Sequence, residues 1–502
     1  VPAVPTHRRR EGDRSMRQLG MDAGRLFVCR ATRMSTAEFA SRRDTPPSPT
    51  DKQAAGIHSE LAHAAVALTP PMGWNSWDCF GVSVREEEIR ANAEFLADRL
   101  LRFGWEYVVV DLAWYSPTAN TENYKKYGLE QLIDPYGRLV PDPIRFPSSA
   151  GGRGFKPLAD FVHSLGLKFG IHIMRGIPWQ AVERNTPILH SGARAREIAQ
   201  PLDGCYWFAN MDGVNTTRDG GQAYYDSLAE LYASWDVDFL KADDMNSWDG
   251  EGQREPYHTD EIEALRRAID RAGRPMALSL SPGAAQICNA NHLRRHANLW
   301  RISCDFWDDW AALKRQFARC RLWAPYVAPG HWPDADMLPI GRIGIRGEIG
   351  EPRDSRFNQC ELTTLMTLWC IFRSPLMFGG HLPETDDFSL SLISNPEALA
   401  VNQQSNNNRE LEFENDLQAI WIADASRDES TGDPLGDDKY VALFNLSDET
   451  RDVRVELARC DLAGRCRVRD LWKRQDVCVA KGKFTAALDA HAAGLYRISS
   501  TR

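Results

Sequence analysis

Residues Tyr224–Asp243 read YYDSLAELYASWDVDFLKAD, and Asp260–Ser281 read DEIEALRRAIDRAGRPMALSLS. Each is a helical stretch followed at once by a short apolar strand: Tyr224–Trp235 then Asp238–Asp243, and Asp260–Ala272 then Pro275–Ser281. Helix and strand alternating in this way predict a parallel sheet whose strands are joined by helices. The grammar extends outward in both directions. Upstream, Met72–Trp77 is an apolar run, and Glu86–Phe103 is helical with Ile89, Ala93, Leu96 and Leu100 on one face. Tyr107–Asp111 (YVVVD) is a buried strand, Phe155–Leu165 is helical, and Lys168–Met174 (KFGIHIM) is a strand. Downstream, Leu299–Asp305 (LWRISCD) is the sixth strand, Trp310–Trp323 is helical, and Tyr326–Pro329 begins the seventh. Gln359–Phe372 is helical, and Ser374–Gly379 (SPLMFG) is the eighth strand. Eight strands, most followed by a helix, predict an α/β fold, a (β/α)8 TIM barrel over residues 67–403. Long excursions follow strands two, three and seven, where such barrels build their sites.

After Asn402 the pattern changes. Ala419–Ala423, Lys439–Asn445, Asp452–Leu457, Arg467–Trp472 and Gly494–Ile498 are short strands between turn-rich pieces, with no convincing helix. This predicts a C-terminal antiparallel β-sandwich over 404–502, expected to be structural. Residues 1–66 lack sustained periodicity and hold 11 Lys and Arg against 7 Asp and Glu in a chain whose net charge is −9. They read as a disordered tail or a targeting-like segment: Ala62–Ala67 (AHAAVA) looks like a small-residue cleavage site, but no apolar stretch precedes it. A chain begun near Leu68 is therefore expected to fold.

The 502 residues are 43% hydrophobic and 26% charged, a globular composition with a large core. The acidic balance argues against a nucleic-acid partner, and no run of 18 apolar residues spans a membrane. Eleven cysteines include no CxxC pair, although Cys460 and Cys466 are close enough to pair across a short loop. A secreted or periplasmic location is favoured over a cytoplasmic one, and the oligomeric state is open.

The acidic residues fall at strand ends. Asp111 ends strand two, Asp243 and Asp244 end strand four, Asp305 ends strand six, and Asp334 and Asp336 follow strand seven. Any one of these alone reads more readily as a cap or turn residue. Together they converge on one cavity, where carboxylates are costly unless they do chemistry, bind a metal or hydrogen-bond a polyol. Two carboxylates on opposed strands can flank a glycosidic bond, one attacking the anomeric carbon and the other protonating the leaving oxygen. Lys241 leaves its strand on the same face as Asp243, and Arg301 on the same face as Asp305.

Pro70–Trp77 (PPMGWNSW), Tyr107–Trp114 (YVVVDLAW), Phe239–Asp243 (FLKAD), Trp300–Asp305 (WRISCD) and Pro329–Gly341 (PGHWPDADMLPIG) resemble, in order and spacing, the signatures of melibiase-type α-galactosidases, glycoside hydrolase family 27. The resemblance runs from about Leu68 to the end of the chain. It implies a retaining glycosidase acting on terminal α-galactosides of oligosaccharides or glycoconjugates. Asp243 would be the nucleophile and Asp305 the general acid/base. Trp77, Asp111, Lys241, Arg301 and Asp336 would line the sugar site, with His172 near the mouth. No metal and no organic cofactor is implied.

Three departures bear on the sugar. The family carries a second acid, which helps hold the galactose hydroxyls, where this chain has Leu112. It carries a bridged Cys where this chain has Met245, and specificity residues where this chain has Ser281-Pro282-Gly283. The alternatives are therefore the same mechanism on an α-N-acetylgalactosaminide, a β-L-arabinopyranoside or an isomaltose-releasing α-glucan. A metal-dependent hydrolase using His172 and His331, and a noncatalytic sugar-binding barrel, are rivals of another class.

Overall fold

The computed structural model of the protein describes residues 62–250, 253–414, 416–425 and 436–501. Eight parallel strands form the barrel wall: β1 (Met72–Asn75), β2 (Tyr107–Val110), β3 (Lys168–Met174), β4 (Phe239–Asp243), β5 (Ala277–Leu280), β6 (Leu299–Arg301), β7 (Trp332–Asp334) and β8 (Leu376–Phe378). Their order is β7-β6-β5-β4-β3-β2-β1-β8. A parallel bridge between Leu338 and Phe378, just past β7, closes the ring.

Period-two alternation sorts the side chains into two buried layers, which is why the strands read as continuous apolar runs. Tyr107 and Val109, Phe239, Ala277, Leu299 and Trp332 form the inner core, while Val108, Val110, Leu240, Ala242, Leu278 and Trp300 join the outer one. β1 lies so close to β2 that a Cβ on Gly73 would stand 2.4 Å from the Tyr107 carbonyl oxygen, so a side chain cannot be placed there without moving the wall.

The seventh strand is not where the sequence put it. Ala324–Tyr326 is a 3-10 turn, and β7 begins at Trp332. Pro325 and Pro329 remove the backbone donors that a ladder at Tyr326–Pro329 would need. Gly330 then turns the chain at φ +80° into the strand.

The tail expectation is corrected for its last residues, while residues 1–61 lie outside the described ones. Ala62–Ala67 form a 3-10 helix packed under the barrel, with His63, Ala64 and Ala67 buried. Trp332 Nε1 donates to the Ala67 carbonyl at 2.7 Å, and Asn298 Nδ2 to the His63 carbonyl at 2.9 Å. The segment's small side chains carry no periodic signal, because it seals the floor of the barrel through its backbone. A chain begun at Leu68 is therefore expected to be less stable than one begun at Ala62, by about 1–3 kcal/mol for each buried donor left unpaired. Chemical denaturation of the two chains checks this.

The C-terminal module is an antiparallel sheet of β9 (Asn406–Glu414), β10 (Gln418–Asp424), β11 (Lys439–Asn445), β12 (Arg451–Glu456), β13 (Arg465–Asp470), β14 (Gln475–Lys481), β15 (Lys483–Leu488) and β16 (Ala493–Ser500). The order is β9-β10-β11-β16-β13-β14-β15-β12. One face of β10 and β11 (Ile420, Ile422, Val441, Leu443) fills the module's own core. The other (Ala419, Trp421, Ala423, Tyr440, Ala442, Phe444) belongs to the barrel's core. Cys460 and Cys466 do not pair. Both are buried free thiols, and Cys466 Sγ instead makes a weak hydrogen bond to the Ala463 carbonyl at 3.7 Å.

Candidate active site

The β4 register delivers the central groups. Phe239 points inward, so alternation places Lys241 and Asp243 on the same inner face, while Leu240 and Ala242 go outward. Across the ladder, His172 of β3 pairs with Lys241, and Met174 with Asp243. His172 Nε2 donates to Asp243 Oδ2 at 3.1 Å, and the Asp244 backbone N–H donates to Asp243 Oδ1 at 2.8 Å. Burial opposes ionisation of Asp243. The His172 hydrogen bond and the Lys241 charge outweigh it and hold the carboxyl below its ordinary value.

Asp111, one residue past β2, anchors the second cation. Its Oδ2 accepts from Lys241 Nζ at 2.7 Å and from Asn75 Nδ2 at 2.8 Å, and its Oδ1 accepts from the Leu112 N–H at 2.8 Å. Burial would raise this carboxyl, but Lys241 and the hydrogen bonds bring it down to about 2. Lys241 is raised in turn: burial disfavours its charge, and Asp111 and Asp243 more than compensate.

β6 ends at Arg301, so Asp305 does not end a strand. It stands in the following loop, its side chain 58% exposed. Arg301 Nη2 reaches both Asp305 Oδ1 at 3.1 Å and Asp336 Oδ2 at 2.8 Å. Asp336, in a left-handed conformation at φ +88°, also accepts from the Phe306 N–H at 2.7 Å. Burial, with Asp305 and Asp334 adding like charge, pushes Asp336 upward despite Arg301. Asp334 ends β7 and lines the floor of the cavity with Asn75, Lys241, Ser279, Arg301 and Asp336. Trp77, in the turn after β1, is half-buried and packs edge-on against Tyr124, with ring centroids 6.1 Å apart.

Of the predicted residues, direct contacts join His172 to Asp243, Lys241 to Asp111, and Arg301 to both Asp305 and Asp336. Three other groups are placed elsewhere. Asp244, at φ +61°, turns outward and pairs with Arg175 Nε at 2.9 Å. Arg175 also donates to Glu261 Oε1 at 2.6 Å and to the Asp203 carbonyl at 2.7 Å, so it is committed behind the strand rather than offered to a sugar. His331 packs on His63 in the barrel floor, with centroids 6.1 Å apart, whereas His172 is bonded to Asp243 at the mouth. The two histidines that a metal-dependent reading would use are thus not brought together.

Sequence reasoning missed Asn75, Tyr124 and Glu348. Asn75 stands two residues from inward-facing Gly73, and that spacing was a usable signal. Tyr124 donates to Glu348 Oε1 at 2.6 Å, joining the loops after β2 and β7. Those loops have no periodicity, so no local signal existed. Asp78 was also missed. It is buried with Oδ2 unpartnered, and burial next to Asp336, Asp305 and Asp111 raises its carboxyl well above the ordinary value.

Residues 69–178 and 208–404 match the family model described as alpha galactosidase A, and residues 420–498 match the alpha galactosidase C-terminal beta sandwich domain. An α-galactosidase from Cyamopsis tetragonoloba is 27% identical over 88% of this chain and 88% of its own. Among solved structures, a GH27 β-L-arabinopyranosidase variant from Geobacillus stearothermophilus, in complex with arabinose, is 46% identical. It covers 88% of this chain and 100% of its own, with a TM-score of 0.84. A Bacillus halodurans C-125 protein, described as a candidate α-N-acetylgalactosaminidase, is 45% identical over 87% of this chain and 98% of its own, with a TM-score of 0.76.

Proposed function

The chain belongs to the melibiase-type α-galactosidase family, glycoside hydrolase family 27, and we propose that within this glycosidase family it releases terminal β-L-arabinopyranosyl residues. The observation that carries this reading is Leu112, a buried apolar side chain beside Asp111 where the family resemblance implies a second acid for galactose hydroxyls. β-L-Arabinopyranose has the ring hydroxyl arrangement of α-D-galactopyranose with hydrogen in place of the C6 hydroxymethyl group. A site without the second acceptor loses least with a sugar that has no 6-hydroxyl. The 46% identity to an arabinopyranosidase, against 27% to the Cyamopsis tetragonoloba α-galactosidase, supports the same choice.

The mechanism proposed is double displacement with retention. Asp243, held ionised by His172 and Lys241, attacks the anomeric carbon as Asp305 gives its proton to the departing oxygen. Asp305 then takes a proton from water, whose oxygen attacks the same carbon and frees Asp243. Asp111, Lys241, Arg301 and Asp336 have the donors and acceptors to hold ring hydroxyls.

The test is kcat/KM on p-nitrophenyl β-L-arabinopyranoside against p-nitrophenyl α-D-galactopyranoside and α-N-acetylgalactosaminide. The arabinoside should lead, and a lead for the galactoside would return the assignment to α-galactosidase. NMR of the first-formed product anomer tests retention. Leu112→Asp should raise galactoside kcat/KM relative to arabinoside by roughly 10- to 100-fold, the value of one hydrogen bond to a charged group. Asp305→Ala should slow natural glycosides far more than nitrophenyl ones, whose leaving groups need little protonation. Equal losses on both would make Asp305 a binding residue.

A further inference from the structure

Away from the barrel mouth, two neighbouring outer helices bring together a carboxylate and two imidazoles. Glu263 lies on the helix Thr259–Arg271, and His292 and His296 lie one turn apart on the helix Ala290–His296. One ligand atom from each of the three falls within 4.8 Å of the others. His292 Nε2 is 3.4 Å from Glu263 Oε1. That is the edge of a tetrahedron with metal–ligand bonds of about 2.1 Å, so little closure is needed on this side.

The surroundings orient both rings. His292 Nδ1 meets the Tyr257 hydroxyl at 2.6 Å, and His296 Nδ1 donates to the His292 carbonyl at 2.9 Å. Each imidazole therefore has its Nδ1 occupied, which leaves Nε2 as the ligating nitrogen. This is the outer-sphere arrangement that fixes tautomer and direction in histidine metal sites. The rings lie side by side, with centroids 4.1 Å apart at 34°. Arg267 is the opposing group. It holds the other Glu263 oxygen at 3.1 Å, leaving Oε1 for a ligand. Arg295 adds a second positive charge near His292.

We propose that Glu263, His292 and His296 form a surface site for a borderline divalent cation of the Zn2+ or Co2+ class, completed by water and tying the two helices together. Two nitrogens and one oxygen suit such ions rather than Mg2+ or Ca2+. On binding, the His292 proton resides on Nδ1 and is donated to the Tyr257 oxygen, and Nε2 faces the ion.

The experiment is calorimetric titration of the untagged full chain with Zn2+ alone, beside His296→Ala and Glu263→Gln. Glycosidase activity and circular dichroism serve as folding controls. One equivalent is expected in the native chain, with affinity reduced at least about tenfold in both variants while activity persists. Arg267→Ala, which frees the second carboxylate oxygen, should keep the equivalent. Absence of a binding event in the native chain, or undiminished binding by folded His296→Ala, would overturn the site.

Discussion

Asp243→Asn is expected to lower kcat by at least about three orders of magnitude on every glycoside the enzyme accepts. The side chain keeps its volume and loses the attacking charge, and with it the leaving group of the second step. The loss should therefore not depend on how good the aglycone is, unlike the loss at Asp305. On nitrophenyl substrates, added azide should restore part of the turnover. Its nitrogen bonds to the anomeric carbon as nitrophenolate departs, giving a glycosyl azide of inverted configuration. Product NMR reads that configuration directly. Asp244→Asn is the control, because its carboxylate faces Arg175 and away from the cavity. If Asp244→Asn were inactive while folded and Asp243→Asn active, the roles given to the two residues would be wrong.

The second large effect is on stability. Arg175 pairs with both Asp244 and Glu261, and all three side chains are no more than 5% exposed. Tyr225 adds a hydroxyl donor to Glu261. Arg175→Met would take the shared cation away from two buried carboxylates, which should cost about 3–5 kcal/mol. The deficit should depend on pH in a defined sense. Burial already raises Glu261 in the native protein despite Arg175, and removing the arginine raises it further. A carboxyl whose folded value lies above its unfolded one stabilises the fold below the unfolded value. That stability is lost as pH rises through the folded one. The variant should thus lie closest to the native protein in mildly acidic buffer and fall away toward neutrality, as urea unfolding at several pH values would show.

How much of this was legible depends on which force placed each residue. β3 matches its expected span residue for residue, because both of its faces are buried and, after Lys168, His172 is the single polar break in its apolar run. β7 was displaced because it is only three residues long with Pro333 at its centre, and its pairing is decided by neighbouring strands rather than by its own composition. β14 and β15 were missed for the opposite reason. Most side chains of β14 face solvent, so no alternation marks it, and in β15 the alternation is short, with only Phe484 and Leu488 fully buried. In the site, Lys241 with Asp243 followed from strand period, and the outward turn of Asp244 agrees with it. Asp305 was identified with the wrong local structure: its reach back to Arg301 comes from a loop. The Tyr124–Glu348 bond joins residues 224 apart in the chain. Such a contact is written only in the tertiary fold.

The helix Gln359–Phe372 is apolar nearly all round because one side closes the barrel and the other receives the sandwich. Thr364 Oγ1 donates to the His491 carbonyl at 2.6 Å, Trp472 Nε1 to Thr367 Oγ1 at 2.9 Å, and Trp310 stacks on His491 with centroids 4.0 Å apart. The catalytic barrel and the sandwich consequently cannot be traded as interchangeable cassettes. A junction cut near Gln404 would bare Trp421, Tyr440 and Phe444 on one fragment and the flank of that helix on the other. A chimera joining this barrel to a relative's sandwich would need those surfaces to be exchanged as a matched set. The boundary that matters for recombination is this buried seam, and its residues come from both halves of the chain.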